Sequence, residues 1–270
     1  MSGAVDLLAF NLDDPTNPGS ANLVLSDRTV RQAVGLAFNR QRAAAELSPN
    51  APVAETPLAY TRWADTSLPN VSYDPVRAAA LLDADGWVIQ VNGVRAKNGV
   101  QLSFSNTTIT GTGPEATVRQ AIQQRLVKDL AAVGIEVVPR NLAPDEFTAA
   151  LTKRQFESAD LWNDARTDVA DFRRRFSSGA EGSANVMGYQ SLVVDQALSA
   201  ATTAQDLDRR QQLLDTAQQQ IHQDMPVIPI FVHLQVDAGR AYVRGLQPGS
   251  ISGLWWNVED WWLNRGQTTP

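Results

Sequence analysis

The sequence predicts an α/β fold, in which helices and short strands pack in layers. Residues 115–133 repeat apolar side chains at helical spacing, and Gly134 separates them from the short apolar run 135–138, which makes one helix–strand unit of a layered fold. Residues 156–162 form a strand pattern that ends on a tryptophan and leads into an acid-rich loop. Open α/β sheets hold their ligands at strand ends of this kind. A third run, 225–231, is apolar but contains prolines, which predicts an edge or crossover strand rather than a central one.

Composition limits the class of protein. The chain has 270 residues, of which 43% are hydrophobic, so it can bury a core without covalent staples. No apolar run is long enough to span a membrane, and no signal-peptide pattern opens the sequence. The absence of cysteine excludes disulfides, thiolate nucleophiles and cysteine-based metal sites. The net charge of −6 argues against nucleic acid as a partner, because nucleic-acid binders usually carry a basic field.

The first part of the chain predicts a strand, a helix and a long connection. Residues 4–11 read as a strand, and Asp27 is suited to cap a helix whose apolar residues recur at helical spacing. We expect Arg31 and Arg40 on a solvated or salt-bridging face rather than at a ligand, because long charged side chains mostly stay at the surface. Residues 49–69 are rich in proline and lack periodicity, which predicts an extended segment that runs over the surface.

The next segment predicts a second helix, a hairpin and a loop. Asp74 as the N-cap and Pro75 at the first helical position begin a helix that ends at Gly86. Trp87 then starts a strand. Two Asn-Gly pairs predict that residues 88–105 form a β-hairpin, and the Thr- and Gly-rich residues 106–114 predict a loop.

Helices dominate the remainder. Residues 144–146 cap a short helix over 147–151, ahead of the strand pattern that ends on tryptophan. After Asp195, apolar residues at helical spacing predict two helices, and Asp206 is suited to cap the second.

Several of these segments share the order and spacing of motifs in one protein family. The residues are LSDRTVRQAVGLAFNRQ (25–41), YDPVRAAALLDADGW (73–87), the Trp162 strand end with its acids, the Gly188-Tyr189 pair and the proline-punctuated strand 225–231. They resemble the extracellular solute-binding proteins of family 5, the dipeptide-, oligopeptide- and nickel-binding group that delivers ligands to ABC importers. Two positions depart from the usual motifs: Asn39 stands where an aspartate is usual, and Asp85 stands where an alanine is usual.

The resemblance implies a fold and a division of the chain. Members of the family have two lobes, joined by hinge strands, that close on a ligand. The chain resembles their C-terminal half, which is the second lobe of a type II periplasmic-binding-protein-like fold, with a mixed sheet and flanking helices. On this basis residues 1–233 form the ligand-binding lobe. Residues 234–270 form a segment that returns toward a missing N-terminal lobe.

The resemblance also points to ligand-binding residues. Trp162 matches a tryptophan that lines the ligand cavity of the family, although a core tryptophan at a strand end explains the residue equally well. In peptide-binding members an aspartate three residues later takes the ligand's amino group, and Ala165 stands at that position here. Our hypothesis is that Asp164 supplies the anionic partner after a one-residue slip. Asp168 holds the place of a common Asp-Pro pair.

Two further features each allow two interpretations. Arg173, in a run of three arginines, could hold a ligand carboxylate through a bidentate fork, but three adjacent bases cannot all face one way on a helix, which favours a partly solvated face. The tryptophan-rich tail could stack on carbohydrate, and packing against another lobe is the simpler account.

No catalytic or cofactor motif is present. His222 and His233 have no neighbouring nucleophile or metal-spaced partner in the sequence, so we expect structural roles for both, and no metal or cofactor is expected. Four aspartates at 160, 164, 168 and 171 lie too close in sequence to support a glycosidase pair by themselves. The sequence therefore favours a protein that is not an enzyme.

The functional prediction is the substrate-binding component of an ABC importer, which binds peptides or a similar small solute between two lobes. Its partners would be that ligand, the permease subunits in the membrane and the first lobe. Its location would be extracytoplasmic, in the periplasm or at the cell surface, after export or lipid anchoring. Two alternatives stay open at this point. One is a ligand-sensing domain of a transcription regulator, and the other is a carboxylate-dependent hydrolase.

Overall fold

A computed structural model describes residues 4–17, 19–164, 168–179, 184–233, 239–247 and 255–264, with the side chains of 162–164 left out. The strands are β1 Ala4–Phe10, β2 Val88–Ile89, β3 Arg95–Lys97, β4 Val100–Gln101, β5 Ser103–Ile109, β6 Glu136–Leu142, β7 Ser158–Asp164, β8 Val227–Val232, β9 Val243–Arg244 and β10 Trp262–Leu263. The α-helices are α1 Arg28–Ala37, α2 Arg40–Leu47, α3 Pro75–Ala84, α4 Pro114–Ala131, α5 Pro144–Thr152, α6 Val169–Phe176, α7 Leu192–Thr203 and α8 Leu207–Asp224. A 3-10 helix spans Trp255–Asp260.

A five-stranded mixed sheet organises the fold. Its order is β6-β5-β7-β1-β8, with β5 parallel to β6 and β7, and β1 antiparallel to both β7 and β8. Strands β5, β6, β7 and β8 therefore all run in one direction, and β1 runs against them. As predicted from its prolines, β8 lies at an edge of the sheet, where the Ala54 amide donates to the carbonyl of Ile230 and the Val232 amide donates to that of Pro52.

Helices cover both faces of this sheet, so the predicted α/β class with a mixed sheet and flanking helices is confirmed. On one face, Leu8, Phe10 and Phe104 pack with buried residues of α1, α3 and α4. On the other face, Leu7 and Val227 pack with buried residues of α6, α7 and α8. This arrangement follows from the strand period of two, which sends alternate side chains of β1 to opposite faces. Within the described residues, no helix has both the length and the apolar character needed to cross a lipid bilayer.

The predicted helix caps are confirmed, because capping is a local interaction. The side chains of Asp27, Asp74 and Asp206 accept hydrogen bonds from backbone amides in the first turns of α1, α3 and α8. Gly86, just past α3, has a φ of +89°, which a residue with a side chain rarely adopts. The predicted helices 147–151 and 195 onward are also present, in slightly longer form, as α5, α7 and α8.

Two strand predictions were wrong. Residues 88–105 do not form one hairpin. Residues 88–101 form a three-stranded meander, β2-β3-β4, because each Asn-Gly pair makes its own turn around the short strand β3, and residues 103–105 begin β5. Residues 106–109, predicted as part of a loop, are instead in β5, which lies between β6 and β7. The polar Asn and Thr side chains of β5 do not show the apolar pattern that predicts a strand. The segment is a strand because it pairs with β6 on one side and with β7 on the other.

The solvated position expected for Arg31 and Arg40 was also wrong. Arg31 is only 4% exposed and donates to the carbonyls of Asp224, Met225, Leu25 and Ser26, which ties α1 to the end of α8. Arg40 is 1% exposed and donates to three backbone carbonyls. It also forms a salt bridge to Glu55 at 3.1 Å, so the alternative of a salt-bridging position is confirmed for this residue. A guanidinium has five N–H donors. It can therefore be buried where several backbone carbonyls without an amide partner accept its hydrogen bonds.

The segment 49–69 lacks regular structure, as expected, but it does not simply run over the surface. Ala54, Leu58 and Trp63 are buried against the core formed with α7 and α8. The buried Gln218 of α8 accepts from the hydroxyl of Thr56 at 2.7 Å and donates to the carbonyl of Trp63 at 2.8 Å. This segment is therefore part of the packed lobe.

Candidate functional site

One edge of the sheet gathers the ends of several strands. The parallel strands β5, β6, β7 and β8 end there, at Ile109, Leu142, Asp164 and Val232, and the antiparallel β1 begins there, at Ala4. We call this the carboxyl edge. The His233 amide donates to the Ala4 carbonyl at 2.8 Å, so the start of β1 and the end of β8 are held side by side. Open α/β sheets bind ligands outside the carboxyl ends of their strands, which makes this edge the candidate site.

The sequence-predicted residues at 162–165 belong to this edge. Trp162 and Asp164 lie at the end of the paired segment between β7 and β1, where Trp162 is opposite Asp6 and Asp164 is opposite Ala4. Their side chains lie outside the described part of the structure, as does the whole of Ala165. Their roles as ligand-binding residues therefore stay predictions.

Asp168 and Arg173 lie on α6, which follows β7 at the carboxyl edge. Asp168 is the N-cap of α6, and its Oδ1 accepts from the Ala170 amide at 2.8 Å, so one carboxylate oxygen is engaged locally. Arg173 is half-buried, and its Nε has no hydrogen-bond partner among the described residues. The two neighbouring arginines are held by Asp171, at 2.5 Å from Arg174 and 2.8 Å from Arg175.

The aspartates that lie close together in the sequence between 160 and 171 have different contacts in the structure. Asp168 caps a helix, Asp171 pairs with arginines, and Asp160 is buried in the sheet. The described acids Asp160, Asp168 and Asp171 therefore each have a separate set of contacts.

A buried polar cluster lies behind the carboxyl edge, on the face covered by α4. It contains Asp6 of β1, Asn106 of β5, Asp160 of β7, Arg119 of α4 and His233, and the first four are at most 6% exposed. His233 Nε2 lies 2.7 Å from Asp6 Oδ2, and Arg119 donates to the backbone carbonyl of Asp160 at 3.1 Å. Sequence reasoning missed this cluster, although an aspartate inside the apolar run AVDLLAF was a visible signal.

The electrostatics of this cluster centre on Asp160. The pKa of Asp160 is raised to about 8, first by burial and second by the nearby carboxylate of Asp6. The Arg119 guanidinium and the Asn106 amide oppose this shift but do not cancel it. A carboxyl group with such a pKa is mostly protonated at neutral pH.

The histidines take separate places. His233 pairs with Asp6 at the carboxyl edge, whereas His222 lies on α8 with its Nδ1 3.4 Å from the carbonyl of Glu55. Across the described residues, no group of three or more histidines or acids is placed to hold a metal ion.

Comparisons with known proteins agree with this fold. Residues 1–184 match the family described as bacterial extracellular solute-binding proteins, family 5 Middle. The chain is 28% identical over 244 residues to di/tripeptide-binding protein 2 of Pseudomonas aeruginosa (strain UCBPP-PA14), covering 84% of this chain and 41% of that relative.

Solved structures show the same fold. The oligopeptide-binding protein AppA from Bacillus subtilis, in complex with a nonapeptide, superposes with a TM-score of 0.77 at 19% identity, covering 96% of this chain and 50% of AppA. NikA from Brucella suis, in complex with Fe(III)-EDTA, superposes with a TM-score of 0.68 at 25% identity, covering 84% of this chain and 45% of NikA. The chain thus spans half or less of the length of these relatives.

Proposed function

The chain belongs to family 5 of the bacterial extracellular solute-binding proteins, and from this premise we propose that it is the C-terminal ligand-binding lobe of the substrate-binding component of an ABC importer. The observation that carries the proposal is the carboxyl edge. Trp162 and Asp164 end β7 there, and β1 begins beside the end of β8 at the same edge. A ligand held at this edge would therefore lie next to both strands through which the lobe connects to the rest of the protein.

The division of the chain is part of the proposal. Residues 1–233 would form the lobe, and residues 234–270 would return to a first lobe that precedes this sequence. The exposed indoles of the returning segment support this division, since Trp255, Trp256 and Trp262 are 68%, 50% and 57% exposed. Large exposed apolar groups that lie close together usually mark a surface that another structure covers.

We propose that the ligand is a peptide or a similar small solute. The name of the Pseudomonas relative supports a di- or tripeptide, and the bound nonapeptide of AppA supports a longer one. Trp162 would offer a rigid apolar face to the ligand. Asp164 would pair with the ligand's amino group, since Ala165 cannot, and Asp168 would stay at the helix cap. Arg173 would hold the ligand's carboxylate through its guanidinium, whose Nε has no hydrogen-bond partner among the described residues.

The mechanism would be binding without chemical conversion. Ligand would favour a closed arrangement of two lobes because it contacts both of them only when they close. The closed form would then be recognised by the permease subunits of the importer. The protein would act outside the cytoplasm, after export, with or without a lipid anchor.

Calorimetric titration of a protein that contains both lobes tests this proposal. We expect a di- or tripeptide panel to include binders, and we expect Trp162→Ala and Asp164→Ala to weaken the binding by about tenfold or more each. Asp145→Ala, at an exposed position of α5, is the matched control and should leave affinity unchanged. Blocking the peptide amino group by acetylation should remove the effect of Asp164→Ala. Unchanged affinity in both site variants would exclude this site.

A second titration tests the division into lobes. The 270-residue chain alone should bind the same peptide far more weakly than the two-lobe protein, because about half of the enclosing contacts are missing. Equal affinities would contradict the proposal that the ligand lies between two lobes.

A further inference from the structure

Two buried aspartates lie side by side on the sheet, behind the carboxyl edge. In the β1–β7 ladder, Asp160 pairs with Leu8 and Asp6 pairs with Trp162, so Asp6 and Asp160 are diagonal neighbours on one face. Each is 2% exposed. Two ionised carboxylates this close, both removed from water, repel each other without solvent to screen them.

The two carboxyl groups differ in their partners. Asp6 Oδ2 lies 2.7 Å from His233 Nε2. This is an ion-pair distance without hydrogen-bond geometry, and both oxygens of Asp160 are likewise buried and accept no hydrogen bond of normal geometry from a described residue. Among the described residues, Asp6 therefore has a basic side chain at ion-pair distance, whereas no ion pair is found for Asp160.

The elements packed around Asp160 do not supply the missing cation contact. Arg119 of α4 donates to the backbone carbonyl of Asp160, and its other terminal nitrogen pairs with Glu115 at 2.7 Å. Gln123 of α4 donates to the carbonyl of Asn106, and the Asn106 amide donates to the hydroxyl of Ser158 at 3.1 Å. Asn106 Oδ1 and Thr108 Oγ1 of β5 are buried and accept no hydrogen bond from the described residues.

We propose that Asp160 is a neutral, protonated carboxylic acid in the folded protein and that loss of this proton is a built-in pH switch on the Asp6–His233 contact at the carboxyl edge. A protonated Asp160 removes the repulsion with Asp6 and gains a hydroxyl donor. The buried acceptors of β5 supply the environment that such a donor needs. Ionisation adds a second negative charge beside Asp6, which strains the contact that joins the start of β1 to the end of β8.

The direction of the pH effect follows from the shift in the pKa of Asp160, from 3.8 to about 8. Because the folded pKa lies above the unfolded one, the folded state binds the proton more tightly. The contribution of this proton to stability is complete below about pH 4 and falls as the pH rises through the folded value near 8. Through this one group, stability should therefore decline between about pH 4 and about pH 8 and then level off.

Asp160→Asn in the full 270-residue chain tests the proposal. The amide is neutral at every pH and has nearly the same shape, so the melting temperature of the variant should fall less than that of the wild type between pH 6 and pH 10. Asp145→Asn, at an exposed position, is the matched control and should keep the pH profile of the wild type. Identical profiles for the wild type and Asp160→Asn would overturn the proposal.

A carbon-13 NMR titration of the aspartate carboxyl groups provides a test that does not depend on the folding of a variant. We expect one resonance of the wild-type chain to titrate near pH 8. In Asp6→Asn its midpoint should move down by about one pH unit, because the neighbouring charge that raises the pKa of Asp160 is gone. The absence of any aspartate that titrates above pH 6 would refute the proposal. The test is independent of ligand binding, so it can fail while the proposed function stands.

Discussion

The sheet face covered by α1, α3 and α4 has two contrasting ends. Where β5 and β7 begin, Phe10 and Phe104 pack edge to face with ring centroids 6.4 Å apart, and neither ring is more than 1% exposed. Toward the carboxyl edge, Asp6, Asn106 and Asp160 take the equivalent positions, and several of their polar atoms have no partner among the described residues.

The two ends of this face therefore differ in their effect on stability. The apolar end gains free energy by removing rings from water, whereas each unsatisfied buried polar group at the other end costs about 1–3 kcal/mol. A sheet built for stability alone would continue the apolar pattern. The polar end lies where ligands bind in open α/β sheets, which is where such a cost is commonly tolerated.

The largest effect is expected at the apolar end. Phe104→Ala should lower the free energy of unfolding by about 3–5 kcal/mol, because it leaves a cavity beside Phe10. Urea unfolding measures this change. Val138→Ala, at a 47% exposed position of β6, is the control and should change stability by less than about 0.5 kcal/mol. A loss at Phe104 no larger than at Val138 would show that this end does not stabilise the lobe.

Arg40 provides a contrast to the polar end of the sheet, because it is a buried charge whose hydrogen-bond acceptors are present. It donates to the carbonyls of Ala54, Pro229 and Val71. Arg40→Met should therefore cost about 3 kcal/mol in urea unfolding, since three carbonyls lose a charged donor. Arg42→Met, which breaks an exposed pair with Glu46, should cost only about 0.3–0.5 kcal/mol. Similar losses in the two variants would show that the hydrogen bonds from Arg40 to the three carbonyls do not stabilise the fold.

Gly188 tests a close contact outside the sheet. Its φ is +65°, and an added Cβ would lie 2.5 Å from Asp13 Oδ2. Gly188→Ala should lower the free energy of unfolding by about 2 kcal/mol through backbone strain and this clash. Gly179→Ala, where a Cβ would meet nothing within 4 Å, is the matched control. Adding Asp13→Ala to Gly188→Ala should recover part of the loss, and no recovery would show that the clash is not its cause.

The smallest effect is expected at Tyr189, whose hydroxyl donates to Asp224 at 2.8 Å. Burial and then Asp224 raise the pKa of this tyrosine well above its ordinary value of 10.0. The stability it contributes is complete below pH 10 and is lost as the pH rises above that value. Tyr189→Phe should cost about 1 kcal/mol at neutral pH. In an ultraviolet titration, Tyr189→Phe should remove the tyrosine ionisation that occurs at the highest pH. If that ionisation remained in the variant, the raised pKa would not belong to Tyr189.

Local chemistry made part of this structure predictable. Asp27, Asp74 and Asp206 cap helices through contacts two or three residues away, and Gly134 follows a helix whose period is visible in the sequence. A strand end at Trp162 was also predicted, because an apolar run gives way there to acids, and β7 continues two residues further to Asp164. These signals depend on neighbours in the sequence.

Only the tertiary structure decided the rest. Arg40 is buried because carbonyls from residues 54, 71 and 229 converge on it, and β5 is a strand because β6 and β7 pair with both of its sides. The environment of Asp160 depends on Asp6, more than 150 residues away in sequence, and on Arg119 of α4. The sequence by itself determined where the capped helices α1, α3 and α8 begin, since capping is a short-range interaction. Burial and charge coupling between distant residues arise only when the chain folds, which is why the polar cluster had to be seen in three dimensions.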